Sequence, residues 1–404
     1  MSNYAKKFSL NKATVAIHCA TELLLLIRYL LSLLCYTYSV FYLQGLNHGQ
    51  ITGRTWLVRA SFDVENLRED FRLFSALPTV RFILDRGGRV ILLSHRGRPK
   101  EPTRSLSLNI ILPFLTRHLG IRPVFFSDFD FANIRHILRA SSHRLFLLEN
   151  LRFSPGEEAN DPTFAKNLAS LGDGYVNDDF AASHRVHASI ATMPKFLSSY
   201  CGLQLAAEIK ALGGLLQKPQ RPFVVLLGGA KVPEKLAFAT AMLKFADSVL
   251  VGGVLANTLL AASGKDIKAS TLDSNSLPLA KKIVAHPKLH LPIDFIWEEE
   301  KIRDIGPQTI PAFSEILSKA KTIIWNGAMG LFEDLRFAEG SIELAHLITG
   351  TESYSVVGGG ETTALVQSLH LASRFDFVST GGGAMLDFLS GRKLPGIEIL
   401  NQSR

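Results

Sequence analysis

Thiols are scarce in this chain. Its 404 residues include three cysteines, Cys19, Cys35 and Cys201, with no paired spacing. That excludes a disulfide framework and a thiolate metal site, and it fits a reducing compartment, so a cytoplasmic protein is expected. Zinc-knuckle spacing, a basic helix and interleaved aromatic and basic residues are also missing, so nucleic acid is not an expected partner. The common phosphate loop GxxxxGKS/T is absent, which removes the usual nucleotide-binding classes. No internal repeat or low-complexity segment occurs. Charged residues make up only 20% against 47% hydrophobic, a globular rather than disordered balance.

Positive charge is in excess. A net charge of +8 and a pI near 9.3 point to an anionic partner. With nucleic-acid signatures missing, small phosphorylated ligands lead. The length exceeds one typical core, so two domains are expected.

The first 43 residues stand apart. Lys6, Lys7 and Lys12 precede an apolar stretch from Ala13 to Leu43, interrupted by Glu22 and Arg28. The uncharged run Tyr29–Leu43 is shorter than the roughly 20 residues that span a bilayer. A clean signal-peptide core and a cleavage site are lacking. An interfacial anchor, a poor transmembrane segment and sequence upstream of the true start are the three readings. The last is favoured, because the folded pattern begins only near Gly45, and membrane contact through residues 1–43 is not expected.

From Thr55 onward, apolar runs alternate with amphipathic stretches. WLVRASF, RVILLSH, RLFLLEN and DGYVNDD read as strands; LFSALPTVRFILDRG and SLNIILPFLTRHLG carry apolar residues at helical spacing. This alternation predicts parallel βαβ units, and near-continuous apolar strands fit sheets buried on both faces. A second series, PFVVLLGG, DSVLVGG, TIIWNGAMG, YSVVGGG and DFVSTGGG, places glycines at five strand exits. Ligands of open α/β sheets bind beyond the carboxyl ends of the strands. The predicted fold is α/β, with parallel-sheet βαβ units in two halves joined within Phe196–Leu212.

Residues 228–235, Gly-Gly-Ala-Lys-Val-Pro-Glu-Lys, follow the apolar run Phe223–Leu227. Proline there suits a first helical turn, and Lys231 and Lys235, four apart, share a helix face. Free backbone N–H groups, a positive helix end and two ammonium groups make a phosphate cradle. A tight turn with two solvated lysines is the competing reading. Ser94-His95-Arg96-Gly97-Arg98-Pro99, Leu148–Phe153 with Arg152, and Ser183–His187 with His184 and Arg185 put guanidiniums after strands. Arginine grips phosphate and carboxylate with two N–H groups at once. No Ser-His-Asp order or cysteine partner supports histidine as a nucleophile's base, so neutral donation or packing is expected. Glu333, closing Trp325–Glu333, suits a ribose hydroxyl. Gly358-Gly359-Gly360-Glu361-Thr362-Thr363 suits phosphate with Mg²⁺, although helix capping alone would account for Glu361 or Thr362.

Together these motifs resemble the phosphoglycerate kinase family from about Gly45 to Leu400. The matched set is DFRLFSALPT at Asp70–Thr79, SHxGRP at 94–99, ENxRFxPGEExNDPxFAxxLA at 149–169, HRxHAS at 184–189, GGAKVxxK at 228–235, DIGPxT at 304–309 and WNGxMGxFE at 325–333, then GGG and STGGGA. The resemblance implies two doubly wound parallel-sheet domains facing a cleft, in a hinge-bending kinase. Such a kinase moves a phosphoryl group reversibly between 1,3-bisphosphoglycerate and ADP, giving 3-phosphoglycerate and ATP, with Mg²⁺ as cofactor, as a monomer. It implies a phosphoglycerate-binding domain at 44–200, a nucleotide-binding domain at 201–384, and a segment 385–404 packing back toward the first. Arg72 and Lys231 are the implied catalytic pair. The acid substrate falls to Ser61, Phe62, Asp63, Arg72, His95, Arg96, Gly97, Arg98, Arg152 and Arg185. The nucleotide falls to Gly228, Gly229, Lys231, Lys235, Asn326, Glu333, Gly358, Gly359, Gly360, Glu361 and Thr362, with Glu361 beside the metal.

The chain departs from the family pattern in places. Where the family's first strand usually ends Arg-Val-Asp-Phe-Asn-Val-Pro, this one reads Arg59-Ala60-Ser61-Phe62-Asp63-Val64-Glu65. Losing one charge-assisted bond there would weaken substrate binding by about 1.5–3 kcal/mol. Glu361 replaces an aspartate, Ala328 a proline, Val254 and Ala181 glycines, and Ser154 a histidine. A usually longer insertion before Asp304 is trimmed. An active kinase is the leading expectation. The alternatives are a degenerate relative that binds without turnover, and a scaffold tethered through residues 1–43.

Overall fold

The computed structural model describes residues 41–64 and 71–401. The apolar stretch before Phe41, and with it Cys19 and Cys35, therefore lies outside the described residues, as do Glu65 and Asp70. Two six-stranded sheets, each parallel throughout, organise the chain. The first is ordered β3-β4-β2-β1-β5-β6, from β1 (Thr55–Arg59), β2 (Arg89–Leu93), β3 (Val124–Phe126), β4 (Leu145–Leu148), β5 (Gly174–Asn177) and β6 (Ser199–Cys201). The second is ordered β14-β13-β12-β7-β8-β9, from β7 (Phe223–Leu227), β8 (Ser248–Val251), β9 (Leu289–His290), β12 (Thr322–Asn326), β13 (Tyr354–Gly358) and β14 (Phe377–Ser379). A separate antiparallel hairpin joins β10 (Phe295–Glu298) to β11 (Lys301–Ile305).

The central strands are buried at every position, as helices on both faces of a parallel sheet require. All nine strands read from the sequence are present; β3, β6, β9 and the hairpin are additions. The helix Leu203–Gln217 connects the sheets. Asp178, just past β5, accepts from Gln204 N (2.9 Å) and Leu205 N (3.1 Å) and so caps that helix from a distance. Near its middle, Glu208 accepts from Thr380 N (2.7 Å) and Thr380 Oγ1 (2.8 Å), tying it to the exit of β14. The chain then returns to the first sheet: Gly396 O accepts from Asn177 Nδ2 (2.9 Å), Gly396 N donates to Ser183 O (2.9 Å), and Leu394, Ile397 and Leu400 are buried. No helix among the described residues is long and apolar enough to cross a membrane.

Candidate active site

In the first sheet the polar residues gather just past the carboxyl ends of β1, β2, β4 and β5. Arg59 ends β1 fully buried. Its Nη1 donates to Asp179 Oδ2 (2.6 Å) and Ala60 O (2.8 Å), and its Nε to Ser189 Oγ (3.1 Å). Its Nη2 lies 2.8 Å from His95 Nδ1. A guanidinium can only donate, so Nδ1 accepts and the ring proton is assigned to Nε2. Burial, then the guanidiniums of Arg59 and Arg152, hold His95 well below its usual pKa, so it is a neutral donor at physiological pH. His95 Nε2 faces Asp63 Oδ2 at 3.7 Å, and Asp63 Oδ1 accepts from Gly97 N at 2.7 Å.

The guanidiniums divide into two groups. Arg152 Nη1 donates to Gly97 O (2.6 Å), with its Nε 3.0 Å from Glu158 Oε1. Arg72 bridges the two halves: Nη1 donates to Asp63 O (2.6 Å) and Nε to Thr380 O (3.2 Å). Arg98 and Arg185 are exposed, and their side chains make no hydrogen bond or ion pair with other described residues. Both are therefore available to an anion. Three residues expected at the substrate, Arg96, Ser61 and Phe62, are buried. Arg96 is buried and holds the loop through Val64 O (2.7 Å) and Ser105 O. Ser61 is 3% exposed, and its Oγ is buried without a hydrogen-bond partner. Phe62 is fully buried beneath them, its N–H on Ser94 Oγ at 2.9 Å.

Across the cleft, β7 exits into Gly228 and Gly229, and Lys231 is the N-cap of the helix Val232–Met242 with Pro233 in its first turn. Gly229 has φ 79°, a left-handed conformation that favours glycine, and a Cβ there would also push aside Glu361 Oε2 (2.5 Å) and Lys235 Nζ (2.7 Å). Lys235 is buried with its Nζ on Gly228 O, and burial lowers its pKa to about 8 while Glu361 opposes the shift. Asn326 Nδ2 donates to Gly358 O (2.8 Å), and Thr362 Oγ1 accepts from Gly327 N (2.6 Å), which locks the exits of β12 and β13 side by side. Gly359, at φ 104°, is the N-cap of the helix that carries Glu361.

One cleft of about 750 Å³ collects Arg98, His184 and Arg185 from the first half with Lys231, Lys235, Asn326, Gly359, Gly360, Glu361 and Thr362 from the second. An adjoining pocket of about 180 Å³ is walled by Val254, Ile302, Met329, Leu331 and Phe332, with Glu333 and Glu361 also on its lining. Its apolar walls and acidic edge suit a flat base and a ribose hydroxyl. Sequence reasoning places Arg59 among the basic strand-end residues but misses its role, since its partners are distant in the chain; it misses altogether the pair Asp387–Arg392 (2.9 Å), which lines the cleft from the returning segment without a motif to mark it. Among the described residues no cluster of three or more His, Cys, Asp or Glu could cage a metal. Glu361 lines both pockets, and its carboxylate with ligand phosphates would make a hard-oxygen set that suits a divalent cation such as Mg²⁺.

One wall of the cleft carries guanidiniums, and the other carries glycine-rich strand exits and ammonium groups, a distribution of charge that suits anionic ligands. That layout, on two parallel α/β sheets, is that of a phosphotransferase. The family model described as phosphoglycerate kinase matches residues 46–392. A phosphoglycerate kinase of Herpetosiphon aurantiacus is 38% identical over 381 residues, covering 87% of this chain and 97% of that one. Its counterpart in Dictyoglomus turgidum is 39% identical over 385 residues, covering 88% and 97%. Among solved structures, phosphoglycerate kinase from Coxiella burnetii superposes with TM-score 0.75 at 32% identity, covering 90% of this chain and all of that one. The enzyme from Pyrococcus horikoshii gives 0.81 at 29%, covering 90% and 99%. The chain belongs to the phosphoglycerate kinase family, phosphotransferases with a carboxyl group as acceptor.

Proposed function

We propose that this chain moves a phosphoryl group between the acyl phosphate of 1,3-bisphosphoglycerate and ADP, acting as a cytoplasmic monomer. The observation that carries the reading is the single cleft where Arg98 and Arg185 stand opposite Lys231, Lys235 and Glu361. In the forward direction a β-phosphate oxygen of ADP attacks the phosphorus, the bond from phosphorus to the acyl oxygen breaks, and 3-phosphoglycerate leaves as a carboxylate. Such transfers need positioning and charge stabilisation more than covalent chemistry.

Arg98, Arg152 and Arg185 grip the phosphoglycerate, with His95 as a neutral donor and Gly97 on the loop between them. Gly228, Gly229, Gly358, Gly359 and Gly360 give the nucleotide phosphates a glycine-lined approach, Lys235 with Asn326 and Thr362 fixes that surface, and Glu333 takes the ribose. Lys231, at a helix N-terminus, and Arg72, released from Thr380 O as the walls approach, neutralise the group in flight. Mg²⁺, when bound to Glu361 and the nucleotide, would offset charge on the phosphates. Closure excludes the water that would hydrolyse an acyl phosphate.

A coupled assay of the full chain with 3-phosphoglycerate, ATP and Mg²⁺ tests this. Lys231→Ala should lower kcat by about 10²–10³ with unchanged thermal stability, the scale for one electrostatic donor. Wild-type turnover no better than Lys231→Ala and Arg72→Ala would overturn the proposal.

A further inference from the structure

A second basic pocket lies on the opposite side of the first sheet, at the amino ends of its strands. Thr55 and Arg89 open β1 and β2 in register, and Asp173 precedes β5. The active-site residues follow the carboxyl ends of the same strands, roughly 16 Å away along a five-residue strand. The pocket, of about 210 Å³, is lined by Arg89, Arg135, Arg139, Ser170, Gly172 and Asp173 among others. It falls below the roughly 300–1,000 Å³ that takes drug-sized ligands, so its occupant is small.

Two of its guanidiniums are fixed in advance. Arg89 donates through Nη2 to Leu138 O (2.7 Å) and through Nε to His143 O (3.3 Å), with its guanidinium carbon 5.1 Å from the centre of the Phe146 ring. Arg135 donates through Nη1 to Ser170 Oγ (3.0 Å). Arg139, four residues further along the helix Phe131–Ala140, is exposed, and its side chain makes no hydrogen bond or ion pair among the described residues. Arginines at that spacing repel each other on one helix face. Asp173 is the one carboxylate in the lining, and its Oδ2 already accepts from Thr55 N at 2.8 Å. Three guanidiniums against one carboxylate leave two formal positive charges around a polar hollow.

We propose that this pocket binds a small tetrahedral oxyanion, either free phosphate or the phosphoryl end of a compact metabolite. Arg89 and Arg135 supply preset N–H groups, and Arg139 closes on the ligand. The site is separate from the catalytic cleft and independent of turnover.

The test is an NMR titration of the ¹⁵N-labelled full chain at constant ionic strength, with inorganic phosphate and glycerol 3-phosphate in separate arms and sodium chloride as control. The amides of Gly172 and Asp173 report this pocket; those of Gly229 and Gly327 report the cleft. Saturable shifts at Gly172 and Asp173 are expected, weakened at least tenfold in Arg139→Gln and retained in Arg139→Lys, with kinase turnover of both variants within twofold of wild type. Tighter binding of phosphate supports the free anion, and tighter binding of glycerol 3-phosphate supports the metabolite. Shifts no larger than with chloride, or undiminished in Arg139→Gln, would overturn the proposal.

Discussion

Arg59 shows how much of a site rests on a residue that never reaches the ligand. It fixes His95 as a neutral Nε2–H donor and pairs with Asp179, both partners fully buried. Arg59→Met should destabilise the fold by about 3–5 kcal/mol, since it strands a buried carboxylate; a shift of the urea midpoint at constant m-value measures this. The role was not legible in the sequence. Arg59's partners lie 36, 120 and 130 residues away, and only folding brings them together. Arg98, Arg185 and Lys231 could be read because these exposed groups sit inside local motifs. Asp63 is the informative departure. Its carboxylate holds Gly97 N, which an asparagine Oδ1 would also do, so Asp63→Asn removes charge without opening the loop. The side chain is 41% exposed, so the screened gain is on the order of 1 kcal/mol, about a fivefold lower KM for 3-phosphoglycerate. An unchanged KM would mean that this charge is fully screened. Ser61→Asp is a poorer test, because it would bury a charge where Ser61 Oγ already lacks a partner.

At the scale of elements, the helix Leu203–Gln217 concentrates the pH sensitivity. Burial lifts Asp178 from 3.8 and Glu208 from 4.5, each to about 7. The folded state therefore keeps two protons that the unfolded chain has released. Their stabilisation is complete below the ordinary carboxyl range and is lost as pH rises toward 7. Urea midpoints should fall between pH 5 and pH 7, and Glu208→Gln, which keeps an acceptor for Thr380, should reduce that fall. An identical slope in the variant would exclude Glu208. The strands with glycine exits were legible because the glycines are a conspicuous signal, closing four strands of four or five residues and marking even the three-residue β14. β3, β6 and β9 were not, since two or three residues are too few to show a pattern. Their pairing is decided by neighbours already in place. The hairpin β10–β11 mixes charge with Trp297, which is 40% exposed, so it carries no buried-strand signature.

For the whole molecule, the arrangement of two facing sheets was legible from motif order, whereas the contacts joining them were not. Arg72 to Thr380 O, and the two bonds from Thr380 to Glu208, join distant stretches, and no local pattern announces them. Residues 394–401 add a third link. Deleting residues 395–404 removes the buried side chains of Ile397 and Leu400, each worth about 1.5–3 kcal/mol. The deletion should lower the melting temperature of the first half selectively, seen as earlier loss of amide protection around Asn177–Ser183 than around β7 and β12. The same return has a consequence for synthesis. The corner at Asn177 and Ser183 is completed by Gly396, which leaves the ribosome only after the entire second sheet. The first domain is thus begun first and finished last, and a nascent chain carries its basic face incomplete until translation is almost over.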